Sequence, residues 1–149
     1  MKGIIAKTCS LLAALGIVSA SSDAFSLVGP GVAMHTSFGS QQGCVSRSSY
    51  GGIVNNCSYA VEVSGTLDVT QNAWHPTSVS IYGNSSWCQT VTINGVGNGA
   101  HVGAQVWTSA GPKSWQTLDL GSRYVWADMG LVFWCGLEPG GVIGNFRAY

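Results

Sequence analysis

Three kinds of side chain in this sequence could do acid–base, nucleophilic or metal chemistry, and a fourth could bind through its flat face. The histidines are His35, His75 and His101. The carboxylates beyond the N-terminal segment are Glu62, Asp68, Asp119, Asp128 and Glu138. Hydrolysis needs a base within hydrogen-bond reach of a nucleophile or of a water. No G-x-S-x-G elbow, H-E-x-x-H pair or closely spaced carboxylate pair is present. His101 stands in the glycine-rich segment 94–103, NGVGNGAHVG, a flexible loop on which a small secreted hydrolase could mount its site. Nothing near it in sequence supplies a partner, so a surface polar residue is the preferred reading. His75 precedes Pro76 and is expected in a solvent-facing turn. Glu62 and Asp68 fall on the wet face of a strand, where most carboxylates only solvate. No catalytic residue and no cofactor is predicted.

Cys44, Cys57, Cys88 and Cys135 form an even set behind an apparent export signal, which predicts disulfides made outside the reducing cytosol. Their spacing contains no C-x-x-C pair, so neither a metal site nor a redox site is expected. Four cysteines allow three pairings. We expect Cys44–Cys57, closing a small loop around Tyr50-Gly51-Gly52, and Cys88–Cys135, tying two strands distant in sequence. Cys9 precedes this set and lies within the signal. Lys7-Thr8 before it make no lipobox.

The chain has 6 tryptophans: Trp74, Trp87, Trp107, Trp115, Trp126 and Trp134. Exposed rings can stack on the C–H faces of sugars, while Asn, Asp and Gln fix hydroxyl orientation. A small sandwich also buries such rings, because each hides about 150–250 Å². Alternation sorts them. If Leu131, Phe133 and Leu137 face the core, Trp134 faces away, and an inward Val106 puts Trp107 outside. Leu118 and Leu120 place Trp115 on the outer side. Trp107, Trp115 and Trp134 are therefore the glycan-binding candidates, with Trp74 as a turn-mounted fourth.

The elements that must position these groups read as strands. Only 8% of residues are charged, against about a quarter in typical soluble domains. Gly, Ser, Thr and Asn carry the polarity, a palette suited to strands and tight turns. Over 59–70, YAVEVSGTLDVT, apolar residues fall on Tyr59, Val61, Val63, Leu67 and Val69, the period-two pattern of a half-buried strand. Gly65 interrupts that face, and a bulge or bend is expected there. Shorter runs carry Val79 and Ile81; Trp87, Val91 and Ile93; Val106; Leu118 and Leu120; Leu131 to Leu137; and a closing strand at 142–148. Asn94-Gly95, Gly111-Pro112 and Pro139-Gly140-Gly141 punctuate them. The expected fold class is all-β: a single antiparallel β-sandwich of about seven to nine short strands with two disulfides. Such strands are too short for an outer-membrane barrel, whose strands run about ten residues.

Lys2 and Lys7 precede an apolar stretch at 9–20, too short for a bilayer span of about 20 residues. Small residues then permit cleavage after Ala24 or Ala20. The expected organisation is a signal peptide at 1–24, an extended N-terminal segment at 25–43, and a sandwich domain at 44–149.

Three stretches carry a resemblance: CVSRSSYGGIVNNCS at 44–58, SSWCQTVTI at 85–93 and FWCGLEPGGVIGNFRAY at 133–149. They resemble a group of small secreted, disulfide-bonded bacterial β-sandwich proteins of unknown function. The chain departs from that group after its I-x-N-N segment. A Val-x-Cys-Pro is usual there, whereas this chain has Val61-Glu62-Val63-Ser64-Gly65 and carries Cys57 instead. The resemblance implies a sandwich and a secreted location, and it implies no reaction.

The chain has 6 basic and 6 acidic residues, and losing Lys2, Lys7 and Asp23 would leave a net charge of about −1 by simple counting. No basic excess exists to hold phosphates, which argues against nucleic acid as a partner. The sequence points to a secreted or periplasmic, non-enzymatic module whose partner is a glycan or a cell-surface protein. A hydrolase sited near 94–103 is the first alternative. A secreted inhibitor or envelope structural protein is the second.

Overall fold

The computed structural model describes residues 27–49, 51–70, 72–93, 100–127 and 129–149. The export signal expected over 1–24 and the part of the glycine-rich segment at 94–99 lie outside the described residues.

Two antiparallel sheets face each other. One, sheet A, has the order β10 (Ser114–Val125), β6 (Ala73–Gly83), β12 (Val142–Ala148), β4 (Ile53–Asn55) and β3 (Val45–Arg47), and β1 (Leu27–Pro30) also pairs with β12. The other, sheet B, has the order β2 (His35–Thr36), β5 (Val61–Val69), β11 (Met129–Leu137), β7 (Trp87–Ile93) and β8 (Ala100–Val102), with β9 (Val106–Trp107) pairing the start of β7. The sandwich expected from the periodicity is therefore present. Residues 27–43, expected as an extended N-terminal segment, supply β1 to one sheet and β2 to the other.

The core lies between the inner faces. Val61, Val63, Leu131, Phe133 and Leu137 of sheet B meet Val79, Ile81, Ile143 and Phe146 of sheet A, all buried. The rings of Phe133 and Phe146 are 4.9 Å apart across the interface. Gly65 explains why they fit. It makes no bulge, contrary to expectation, because β5 and β11 pair without a register shift from Val61↔Leu137 to Val69↔Met129. A Cβ at Gly65 would come within 2.8 Å of Met34 Cγ and 3.0 Å of Phe146 Cζ. The missing side chain makes room for a ring of the opposite sheet. The shifts occur elsewhere, between Asp119 and Gly121 on β10 and between Ile143 and Asn145 on β12. At the first, Gly121 adopts a φ of 75°, and its N–H donates to Asp119 Oδ1 at 2.9 Å.

Two further expectations are corrected. Tyr59 lies before β5 and is half exposed, its hydroxyl 2.9 Å from Cys44 Sγ. His75 is buried within β6, and its Nδ1 is 3.1 Å from the Tyr149 carbonyl oxygen. Pro76 ends no strand because its bonding edge faces away from β10: its carbonyl accepts the Tyr149 N–H at 3.0 Å beyond the last β6–β12 pair, Thr77↔Ala148, where a missing N–H removes no ladder bond.

Both expected disulfides form. Cys88 and Cys135 sit directly opposite each other on β7 and β11, with Cα atoms 4.0 Å apart. Cys44 and Cys57 close the loop that carries β3 and β4. Between them lies Asn55, fully buried and fully used. Its Nδ2 donates to Tyr59 O at 2.8 Å and to Leu137 O at 2.9 Å, and its Oδ1 accepts from Cys57 N at 2.9 Å. Its backbone bonds both Gly140 and Gly141.

Glu138 is another structural carboxylate. Buried at the end of β11, it accepts the Asn84 and Ser85 backbone N–H groups and lies 3.6 Å from Lys113 Nζ. Glu138→Ala is expected to lower stability by about 1–3 kcal/mol, since two part-buried N–H donors lose a charged acceptor. Urea unfolding of the two proteins will show it. An unchanged midpoint would mean that water replaces the carboxylate without cost.

Candidate functional site

The six tryptophans fall into three groups on the outer faces. On sheet B, Trp107, Trp87 and Trp134 step across β9, β7 and β11 with centroid spacings of 6.3 and 6.2 Å. Trp107 is 56% exposed, whereas Trp134 is half-buried and donates its indole N–H to Glu62 Oε2 at 2.8 Å. On sheet A, Trp115 is 49% exposed and stands 5.7 Å from Tyr82. At the far end of that face, Trp74 is 67% exposed and meets Tyr124 at 5.7 Å, and Tyr124 meets Trp126 at 5.0 Å. Trp74, Trp107, Trp115 and Trp134 are thus spread over both faces, and no single site gathers them.

Only the third group stands in a concavity with converging polar groups. Sheet A ends at β10 and sheet B ends at β8, and the two edges enclose a cleft of about 260 Å³. Trp74, Tyr124 and Trp126 line it together with Thr92, His101 and Arg123. The ring planes in each adjacent pair are steep to one another, at 71° and 79°. Edge-to-face packing of this kind fixes each ring by its neighbour and holds the faces in place before any ligand arrives.

The strand registers explain the convergence. Tyr124 sits opposite Trp74 across β10 and β6, so both rings leave the same side of sheet A. His101 sits opposite Thr92 across β8 and β7 and projects on Thr92's side of sheet B. That side is the inner one, since Cys88, Thr90 and Thr92 alternate with Trp87, Gln89, Val91 and Ile93. The apolar-looking half of β7 is its outer half. Its inner half is thiol and hydroxyl, which lets the sandwich edge accept polar side chains.

His101 is not on a free loop but on a paired edge strand, and its ring is exposed. Among the described residues no histidine pairs with a carboxylate, and no group of three metal-ligating side chains occurs. Tyr124, Trp126, Arg123 and Thr92 were not among the expected site residues. The legible signal was R-Y-V-W at 123–126, where an inward Val125 places its two aromatic neighbours on the opposite side.

Two other hollows differ in character. One of about 450 Å³ on the outer face of sheet B is lined mainly by Phe38, Val91, Ile93, Val102, Val132 and Trp134, and is almost wholly apolar. A smaller one on sheet A collects Ser78, Ser80, Thr117, Asn145, Arg147 and Tyr149. There the Tyr149 phenol is held below its ordinary pKa by hydrogen bonds first with Arg147 and then with Ser78.

No protein-family model matches the sequence, and no curated protein sequence does so either. Solved structures do match in shape. The insecticidal crystal protein Cry2Aa superposes with a TM-score of 0.60 at 10% identity, over 85% of this chain and 21% of that one. The Podospora anserina GH26-CBM35 β-(1,4)-mannanase gives 0.54 at 11%, over 83% of this chain and 27% of that one. This chain therefore spans about a quarter or less of those two proteins. The C-terminal CBM6 of LamC, a marine laminarinase from Zobellia galactanivorans, gives 0.52 at 12%, over 83% of this chain and 98% of that one. At such identities the likeness is one of fold: the chain is similar to the two-sheet β-sandwich that a carbohydrate-binding module of nearly its own size also adopts.

Proposed function

We propose that this protein is a secreted or periplasmic, non-enzymatic module that binds a glycan in the cleft of Trp74, Tyr124 and Trp126. One observation carries the reading: three mutually braced rings, two of them tryptophans 67% and 44% exposed, share a concavity with Thr92, His101 and Arg123. An exposed tryptophan face in a solvated cleft is costly unless a ligand covers it. Sugar rings match it, having apolar C–H faces and a rim of hydroxyls for the polar side chains. The fold shared with a CBM6 domain of nearly the same length supports the reading by analogy. Two disulfides agree with a location outside the cytosol. Trp115 with Tyr82, and Trp107 with Trp87, offer further platforms. Trp134 offers less, because its indole N–H is already bound.

The test is a glycan array probed with the folded, oxidised protein, followed by titration calorimetry on the hits. Trp74→Ala should weaken binding about thirtyfold, the scale of about 2 kcal/mol typical of a truncated aromatic anchor. Its circular dichroism should not change, because the ring is outside the core. The part of the affinity that comes from stacking should persist in high salt. Retention of no glycan, or a Trp74→Ala variant that binds as well as the parent, would refute the proposal.

A further inference from the structure

The cleft has one sign of charge, and its cation is built in. Arg123 lies opposite His75 across β10 and β6, so its side chain leaves the strand toward the interior and not the outer face. It crosses the sandwich edge. Its Nε donates to Thr90 Oγ1 on β7 at 2.9 Å. The guanidinium passes over Gly103, where an added Cβ would come within 2.1 Å of Nη2 and 2.9 Å of Cζ. Gly103 is itself tied down, its N–H donating to Thr90 O at 2.7 Å. Thr90 thus holds both the arginine and the backbone beneath it.

This anchoring uses only Nε. The terminal amino groups have no hydrogen-bond or ion-pair partner among the described residues, where the ion pair is that of Lys113 with Glu138. A half-buried guanidinium fixed in place without a counter-charge is a poor way to stabilise a fold. Its free edge instead presents two parallel N–H groups, the fork that fits a carboxylate in two-point contact. His101 and Thr92 stand on the same wall and add hydrogen-bonding groups to it. No described carboxylate lines the cleft to repel an anion.

We propose that the glycan recognised here is acidic: a uronic acid or other carboxylate-bearing sugar, with its carboxylate on Arg123 and its apolar face on the rings of Trp74, Tyr124 and Trp126. This rests on the glycan reading above and adds the charge of the ligand to it. Stacking supplies affinity for pyranose rings in general. Arg123 supplies the choice among them, since a neutral sugar would leave the fork desolvated and unsatisfied.

The experiment pairs each acidic glycan with its own neutral form. Oligomers of galacturonate, glucuronate and mannuronate, their carboxyl-reduced counterparts, and sulfated neutral oligomers are titrated into the oxidised protein. At least one uronate should bind about tenfold or more tightly than its reduced form, a gap that each good charge-assisted contact readily spans. The gap should shrink to less than about threefold in Arg123→Gln and recover in part in Arg123→Lys, which keeps the charge but not the fork. It should also narrow between about 0.05 M and about 0.5 M salt, while binding of the reduced form stays level. Equal binding of acid and reduced forms, or an undiminished gap in Arg123→Gln, overturns the inference. So does a preference for sulfated over carboxylated sugars. If neutral glycans bind and Trp74→Ala abolishes that binding, the glycan reading stands while the acidic one falls. If no glycan of any kind binds, both fall.

Discussion

Asn55→Asp should cost this fold about 3 kcal/mol and lower its melting temperature by about 10 °C. The change is nearly isosteric, so packing is not at issue. Asn55 is fully buried, and its amide nitrogen serves the carbonyls of Tyr59 and Leu137 at once. A carboxylate there turns two donated bonds into oxygen facing oxygen. Burial and those two carbonyls both disfavour the charged form, so the carboxyl's folded-state pKa must lie above its unfolded value. The deficit is therefore largest at neutral pH and shrinks on acidification. Asn56→Asp is the control. Asn56 is exposed and its side-chain amide donates to Ser46 Oγ, a surface contact, so its change should stay within about 0.5 kcal/mol. Thermal melts of the two variants, side by side at neutral and acid pH, decide the matter. Indistinguishable melts would mean that the Asn55 network adds nothing.

Removing Cys88–Cys135 should be worse than removing Cys44–Cys57. The sequence separations are 47 and 13, and the chain-entropy account assigns closures of those sizes about 4 and about 3 kcal/mol. Burial widens the difference. Cys88 and Cys135 are both fully enclosed, whereas Cys57 is partly exposed and its loss leaves less of a void. The comparison is best made with both partners of each bridge replaced by alanine, so that no stray thiol reshuffles. In the parent protein, peptide mapping without reductant should link Cys88 to Cys135 and find none of the four cysteines free. Equal melting temperatures for the two double variants would show that burial and loop length do not govern this fold.

The sequence was most legible where strands have one wet face. Val61, Val63 and Val69 alternate with Glu62, Ser64 and Asp68, and β5 runs as that pattern predicts. Glycine and proline were harder, because each acts through neighbours that a strand-by-strand reading does not see. Gly65 looked like a break in the ladder and is instead a seat for Phe146 of the other sheet. Pro76 looked like a turn beside His75 and lies inside β6, so His75 is buried. The face of β7 was ambiguous because its inward side is Cys88, Thr90 and Thr92, and the partners of the first two, Cys135 and Arg123, come from other strands. The cleft was half legible. Trp74 was among the expected rings, but its companions come from the end of β10 and from β8, and only the register unites them.

The position of β12 in the sheet sets the timetable by which the molecule can fold. β12 pairs with β6 on one side and with β4 and β1 on the other. It is synthesised after every strand it joins. Until Val142–Ala148 has emerged, β1 has no ladder to enter, β4 has only its hairpin with β3, and Phe133 waits for Phe146. Pairing of such distant segments is slow, and these ladders cannot begin before β12 itself exists. The β10–β6 pair and the β3–β4 hairpin therefore remain two separate halves of sheet A until Val142–Ala148 lies down between them.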